Sequence, residues 1–446
     1  MKVRRLWTIW QALVLSCIVG CFTRRGRQRF VQWVTGLALN TEEHTITQSL
    51  IGLDQAGDWR NLESFAEYGS WDLTAVQQAC ARRLAQEANA TWQGFFVWAG
   101  DDTKAHRNSK DVWGTCTFHE YTARCPNRAT TVRAHNWVIL GALQLADDQP
   151  ALFLPTAGRL YFRRSQLPTA GHATEKPLPF RTKCELLVEL GRQHAKAVPG
   201  KHLLVFDGGY ALASVVGPLV KPTDPSQPRI DFVTRLRHDA RLHLPPPKER
   251  QPGQKGRTPL WGKRLAPPRQ GGRWPGGWKE GTVLAYGKVR RVRYKEVVCQ
   301  WGPLGHDTLV KAVVAEVEGY DKRFTLVSSA VGLTALQIIE VFCARFRQED
   351  GFRDLKQRLG WEECRAWTRN PIERTTQTML VALSVLRLLQ RRLEEEQGEG
   401  WWLHPPWDRR KQRPSVLDVE RLLRRHRAAL SALLARWLQD GEKAAA

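Results

Sequence analysis

The stretch Leu-Leu-Val-Phe-Asp-Gly-Gly-Tyr, residues 203–210, constrains the fold of this chain more than any other. His202 to Phe206 is short and apolar, as a strand buried on both faces must be, and it stops at Asp207. Thr182 to Lys196, just before it, has the spacing of an amphipathic helix, and Tyr210 to Leu219 can form the next one. This is a strand-helix-strand α/β layout. Upstream, Trp92 to Trp98 is β-prone and ends at Gly100-Asp101-Asp102-Thr103. Val112 to Ala123, His135 to Leu145 and Leu152 to Phe162 continue as strands, and Asp231 to His243 reads as another.

On either side the pattern changes. Residues 1–85 read as helical, with short segments at Thr45 to Leu53 and Trp59 to Tyr68 that suit either a helix-turn-helix DNA reader or a plain helical lid. Pro245 to Glu280 is crowded with Pro, Gly, Lys and Arg and cannot bury a core alone; it is either a solvated linker or a strap along a phosphate backbone. Val283 to Trp301 and Leu309 to Ser328 return to a β pattern. Thr334 to Leu359 and Pro371 to Glu396 read as helices, followed by a C-terminal helix from Ser415. The expected divisions are therefore 1–85 helical, 86–240 α/β, 241–328 a basic, β-rich insertion, 329–396 the return of the α/β unit, and 397–446 helical.

Charge narrows the partners. With 68 Lys and Arg against 44 Asp and Glu in 446 residues, the chain carries a net charge of +24. Such a balance points to a polyanion, nucleic acid first and an anionic membrane surface second. The hydrophobic fraction of 42%, with 19 Trp, excludes a uniformly disordered chain, and a mean hydropathy of −0.43 argues against a polytopic membrane protein. Leu6 to Phe22 resembles a signal peptide in outline, but no cleavage site follows it, and a buried helix is the plainer reading. Nine Cys without regular spacing fit reduced thiols in the cytoplasm. Cys116, His119 and Cys125 lack a fourth ligand at zinc-finger spacing and read as strand and loop residues.

Three carboxylates could carry chemistry. Asp102 and Asp207 end strands, and Glu349 lies on the helix Phe342 to Lys356. Strand ends at one edge of a sheet, with a helix across them, can gather three carboxylates into an oxygen site for Mg²⁺. Phe342, Arg345, Glu349 and Lys356 are separated by two, three and six residues, which puts them on one helical face. A carboxylate flanked by cations suits a metal ligand beside phosphate contacts, whereas the ordinary reading is a surface helix with an Arg345–Glu349 ion pair.

Together, Asp-Asp-Thr after one strand, Asp-Gly-Gly-Tyr after another and the helix spacing resemble the DDE transposases of bacterial insertion sequences, in the branch marked by a Tyr-Arg-Glu-Lys signature. The resemblance spans Asp102 to Lys356. It implies an RNase H-like mixed sheet with flanking helices, interrupted by a β-rich insertion, with helical N- and C-terminal regions. It also implies that Asp102, Asp207 and Glu349 bind two Mg²⁺ ions, for which Mn²⁺ can substitute. Asp102 is preferred to Asp101 because the family's first Asp often precedes Thr. Arg345 and Lys356 would grip phosphates of the DNA end. Phe342 stands where the family has Tyr, so a phenolic hydrogen bond to phosphate is lost there. The implied activity is cut-and-paste transposition on double-stranded DNA, at terminal inverted repeats and a target. The enzyme would act as a homodimer, in the cytoplasm at the nucleoid and away from membranes. The rival reading is a domesticated, non-catalytic DNA-binding descendant.

Overall fold

The computed structural model describes residues 2–120, 130–146, 149–167, 178–247, 257, 259–398, 400–407 and 411–443. Cys125 lies outside them. The chain opens with α1 (Val3–Ser16), α2 (Arg24–Leu39), α3 (Trp59–Tyr68) and α4 (Leu73–Leu84). Thr45 to Leu53 is tighter than an α-helix, with a 3₁₀ stretch over Gln48–Leu53. Helices this short are marginal alone and need a packed face. Trp71 provides one, with the rings of Phe22, Phe30 and Phe65 at centroid distances of 5.0, 5.7 and 4.8 Å. The apolar N-terminal run therefore goes into a core: Leu6, Trp10, Leu13 and Val14 are buried. Among the described residues, no helix is long and apolar enough to cross a membrane.

Among the described residues, twelve strands follow and join one mixed sheet. Its centre is β2 (Phe95–His106), extended by the short β1 (Thr91–Trp92), which folds back on it. On one side β4 (Thr131–Ala146) pairs antiparallel with β2. The outer edge of β4 is shared by β3 (Cys116–His119) and β5 (Gln149–Tyr161). After α5 (Lys183–Ala197), β6 (Lys201–Phe206) enters parallel to β2 on its other side. After α6 (Ala213–Val220), β7 (Ile230–Arg235) enters parallel to β6. β2 does not end at Asp102, as its sequence suggested: the long β4 keeps pairing with it as far as His106.

The sheet then continues past β7. β8 (Leu242–His243), β9 (Lys279–Ala285), β10 (Lys288–Trp301), β11 (Gly305–Val317) and β12 (Phe324–Ser328) extend it in the order β7-β12-β11-β10, with β8 and β9 on β10. Asp231 to His243 is thus split between β7 and β8, because the chain turns at Arg237 to Ala240 and changes partner. Tyr286 and Gly287, at φ of 52° and 80°, make the two-residue turn between β9 and β10. Two successive positive φ values are what a tight hairpin of this hand requires.

α7 (Ala335–Ala344), α8 (Arg347–Gln357) and the 29-residue α9 (Arg369–Gln397) close the face of the sheet opposite α5. Neighbours on β5 mark the two faces. A Cβ at Gly158 would meet Leu380 of α9, while Arg159 pairs with Glu189 of α5 at 3.1 Å. α9 is buried on almost every side from Pro371 to Leu389, since the sheet, α1, α2 and α3 surround it. α10 (Val416–Arg425) and α11 (Arg427–Lys443) pack back on α1 and α2. The mixed α/β architecture is as expected, and it is consistent with an RNase H-like core.

Candidate active site

The register of two parallel strands decides which acidic residues meet. Gly100 of β2 pairs with Phe206 of β6. One residue further, Asp101 stands beside Asp207, and residues paired across a sheet share a face. Asp102 must then face the other way. The contacts agree. A Cβ at Gly100, on the same face as Asp102, would run into Leu187 Cδ1 of α5. Asp102 Oδ2 pairs with Lys183 Nζ of α5 at 2.5 Å, and Tyr210 OH donates to Asp102 Oδ1 at 2.9 Å. Asp101 instead pairs with Arg345 Nη1, at 2.8 Å, on the face covered by α7 and α8. Of the two adjacent Asp, Asp101 thus shares a face with Asp207, while the expected Asp102 faces α5.

Glu349 arrives by a broken helix. Thr334 to Leu359 carries uninterrupted helical spacing, yet the structure divides it at Arg345 and Phe346. There Gln348 N–H donates to Arg345 O at 2.8 Å and Glu349 N–H to Phe346 O at 3.0 Å, both three residues back. This is a local 3₁₀ tightening. Glu349 consequently sits in the first turn of α8, where the helix dipole favours a carboxylate. Its neighbour Gln348 is fully buried and donates through Nε2 to Ile139 O, 3.3 Å away on β4. α8 is thereby seated across the strands beside Asp101.

The acidic face is short of positive charge. Burial pushes the Asp101 carboxyl up to about 6 against the pull of Arg345, and the charges of Asp102 and Asp207 add to the rise. Burial also raises Glu349, again opposed by Arg345 and reinforced by Asp350 and Asp207. Three carboxylates on one face match the hard-oxygen donor set of Mg²⁺ or Mn²⁺. The residue types fit such ions. In this conformation Arg345 supplies the countercharge, and among the described residues no three His, Cys, Asp or Glu side chains are gathered tightly enough to hold a metal.

The remaining expected residues fall nearby in different states. Phe342 is 9% exposed, packs on Phe324 with ring centroids 6.4 Å apart, and lies under the Arg345 guanidinium. Lys356 Nζ is 3.4 Å from Glu362, which also pairs with His106 at 3.3 Å. Close to these, though not among the expected site residues, Trp367 is 58% exposed, and its carbonyl accepts from Trp113 N–H. Cys116 and His119 lie on β3. Sequence reasoning passed over Asp101, Lys183, Tyr210 and Glu362. The sequence did show that only one of the pair could face the site, since two adjacent Asp on one strand point to opposite faces.

Compared with known families, the chain matches the model described as DDE superfamily endonuclease over residues 17–298. That span contains Asp101, Asp102 and Asp207 and ends before α7. No curated protein matches the chain.

Proposed function

This chain belongs to the DDE superfamily endonucleases, and we propose that it is the transposase of an insertion sequence, cleaving DNA at the element's ends and joining them to a target. The observation that carries this reading is the shared face of Asp101, Asp207 and Glu349. We assign these three carboxylates to two divalent ions, with Asp101 in the place first expected of Asp102. When bound, such ions supply charge stabilisation and activation of the attacking oxygen.

The residues of the chain supply the rest. With an ion held by Asp101, Arg345 would be free of its carboxylate partner and available to a DNA phosphate. Lys356 leaves Glu362 for another phosphate, and a planar or compact cation suits each contact. Phe342 contributes packing alone. The exposed Trp367 indole offers a stacking face for an unpaired base at the cut. Water attacks the phosphodiester at the element's end, leaving a 5′-phosphate on one side and a free 3′-OH on the other; that 3′-OH then attacks a target phosphodiester and displaces a target 3′-OH. Neither step forms a covalent enzyme intermediate, so no side-chain nucleophile is required. Residues 1–85 would read the terminal inverted repeats, residues 241–328 would lay basic strands along the DNA, and the C-terminal helices would support a homodimer holding two ends. The work would be done in the cytoplasm, at the nucleoid.

The test is cleavage of labelled duplexes built from the DNA flanking this gene, with Mg²⁺, comparing wild type with Glu349→Gln. Cutting at the element boundary by wild type, lost in the variant, is expected. Equal cutting by both proteins would remove Glu349 from the site, and binding without cutting by either would favour the non-catalytic descendant.

A further inference from the structure

Asp102, the second member of the Asp-Asp pair, faces away from the carboxylates and still sits at the meeting point of three elements. Lys183 is the first residue of α5, where the positive end of the helix dipole disfavours a cation. Its ammonium is held 2.5 Å from Asp102 Oδ2 and lies over the Tyr161 ring. Tyr210 is largely buried, at 5% exposed, and gives its hydroxyl hydrogen to Asp102 Oδ1 at 2.9 Å. Burial first, then the charges of Asp102 and Asp101, hold that phenol well above its usual range, so it stays a donor.

Tyr210 also ends the single 3₁₀ turn that begins just after Asp207. Its N–H donates to Asp207 O at 3.0 Å, and Thr234 Oγ1 donates to the same carbonyl at 3.2 Å. The turn has little room to shift, because a Cβ at Gly208 would come 3.1 Å from Arg235 O. The hydroxyl of Tyr210 thus ties the turn that presents Asp207 to β2, the strand that presents Asp101. We infer that Asp102, Tyr210 and Lys183 form a brace behind the sheet that fixes the spacing of Asp207 and Asp101. Asp102 is then a positioning residue and Asp101 the ligand. The inference rests on the carboxylate-site reading above.

Partners of this outer kind typically change metal affinity by about 10–100-fold. The test is Mn²⁺ titration of the full chain without DNA, followed by electron paramagnetic resonance, with thermal unfolding of the metal-free proteins alongside. Tyr210→Phe keeps the ring and removes only the hydroxyl. It should raise the half-saturating Mn²⁺ concentration about tenfold and leave metal-free unfolding unchanged. Asp102→Asn and Lys183→Met should do the same, Lys183→Arg should restore binding, and Asp102→Asn combined with Tyr210→Phe should be no worse than either single change. Wild-type binding in Tyr210→Phe, or multiplying effects in the double variant, would overturn the brace. Complete loss of binding in folded Asp102→Asn would make Asp102 a ligand and overturn it as well. Asp101→Asn and Glu349→Gln test the reading underneath. If these two bind Mn²⁺ like wild type, or if wild type binds none, the carboxylate site itself is wrong; if they alone lose binding, only the brace fails.

Discussion

Among the described residues, Arg345 is the one cation in hydrogen-bond contact with Asp101, and its side chain is only 11% exposed. Removing one partner of a largely buried pair leaves the other charge stranded. Arg345→Ala should destabilise the metal-free protein by about 2–4 kcal/mol. Mg²⁺ should recover more stability in the variant than in wild type, because the ion then meets a carboxylate with no competitor. Thermal unfolding with and without Mg²⁺ measures both effects, and an identical loss under the two conditions would contradict the exchange of partners. The same site marks how far single residues were legible. Asp207 stood out because an apolar run stops on it, and Glu349 because the cations around it keep a helical spacing. Choosing between Asp101 and Asp102 needed the pairing of β2 with β6 and the face that α8 covers, and neither is written in the local sequence.

At the scale of elements, period and composition announced the alternation of strand and helix, since burial on two faces, on one face or on none leaves different spacings. The break between α7 and α8 left no such trace. No Gly or Pro interrupts residues 334–350, and the tightening at Arg345 and Phe346 coincides with the seating of Gln348 on the sheet. α10 holds a second conflict between local and tertiary demands. Glu420 is fully buried, and among the described residues neither carboxylate oxygen has a hydrogen-bond partner. Burial pushes its carboxyl up to about 7, while Arg424, 3.7 Å away, and Arg358 pull it down and Asp354 pushes it up. The folded value lies above the ordinary 4.5, so folding favours the protonated form. This contribution is largest below about pH 4.5, fades as pH rises through about 7, and stays level above. Glu420→Gln should therefore stabilise the chain at pH 8 by about 1–2 kcal/mol and have little effect at pH 4.5. Urea unfolding at the two pH values checks this, and an equal effect at both would refute it.

Across the whole molecule, the net charge of +24 sets how the protein should meet DNA. Each neutralised phosphate releases counterions, so affinity for duplex DNA should fall linearly with salt on logarithmic axes. With about six or more phosphates engaged, raising salt from ~50 to ~200 mM should weaken binding by about a thousandfold or more. Fluorescence anisotropy across a salt series measures the slope, and a flat response would deny a phosphate-gripping surface.

The sheet adds a constraint of another kind. β12 hydrogen-bonds directly to β7, so the strands beyond residue 240 continue the sheet of the core without a break. Excising them would strip the partner from β7 and leave Ile230 to Arg235 as a raw, apolar border. A border of that sort recruits the nearest strand available, including one from another copy of the same chain. Shortened versions of this protein would thus tend to clump before they could be tested for anything else, and useful trimming is confined to surface loops.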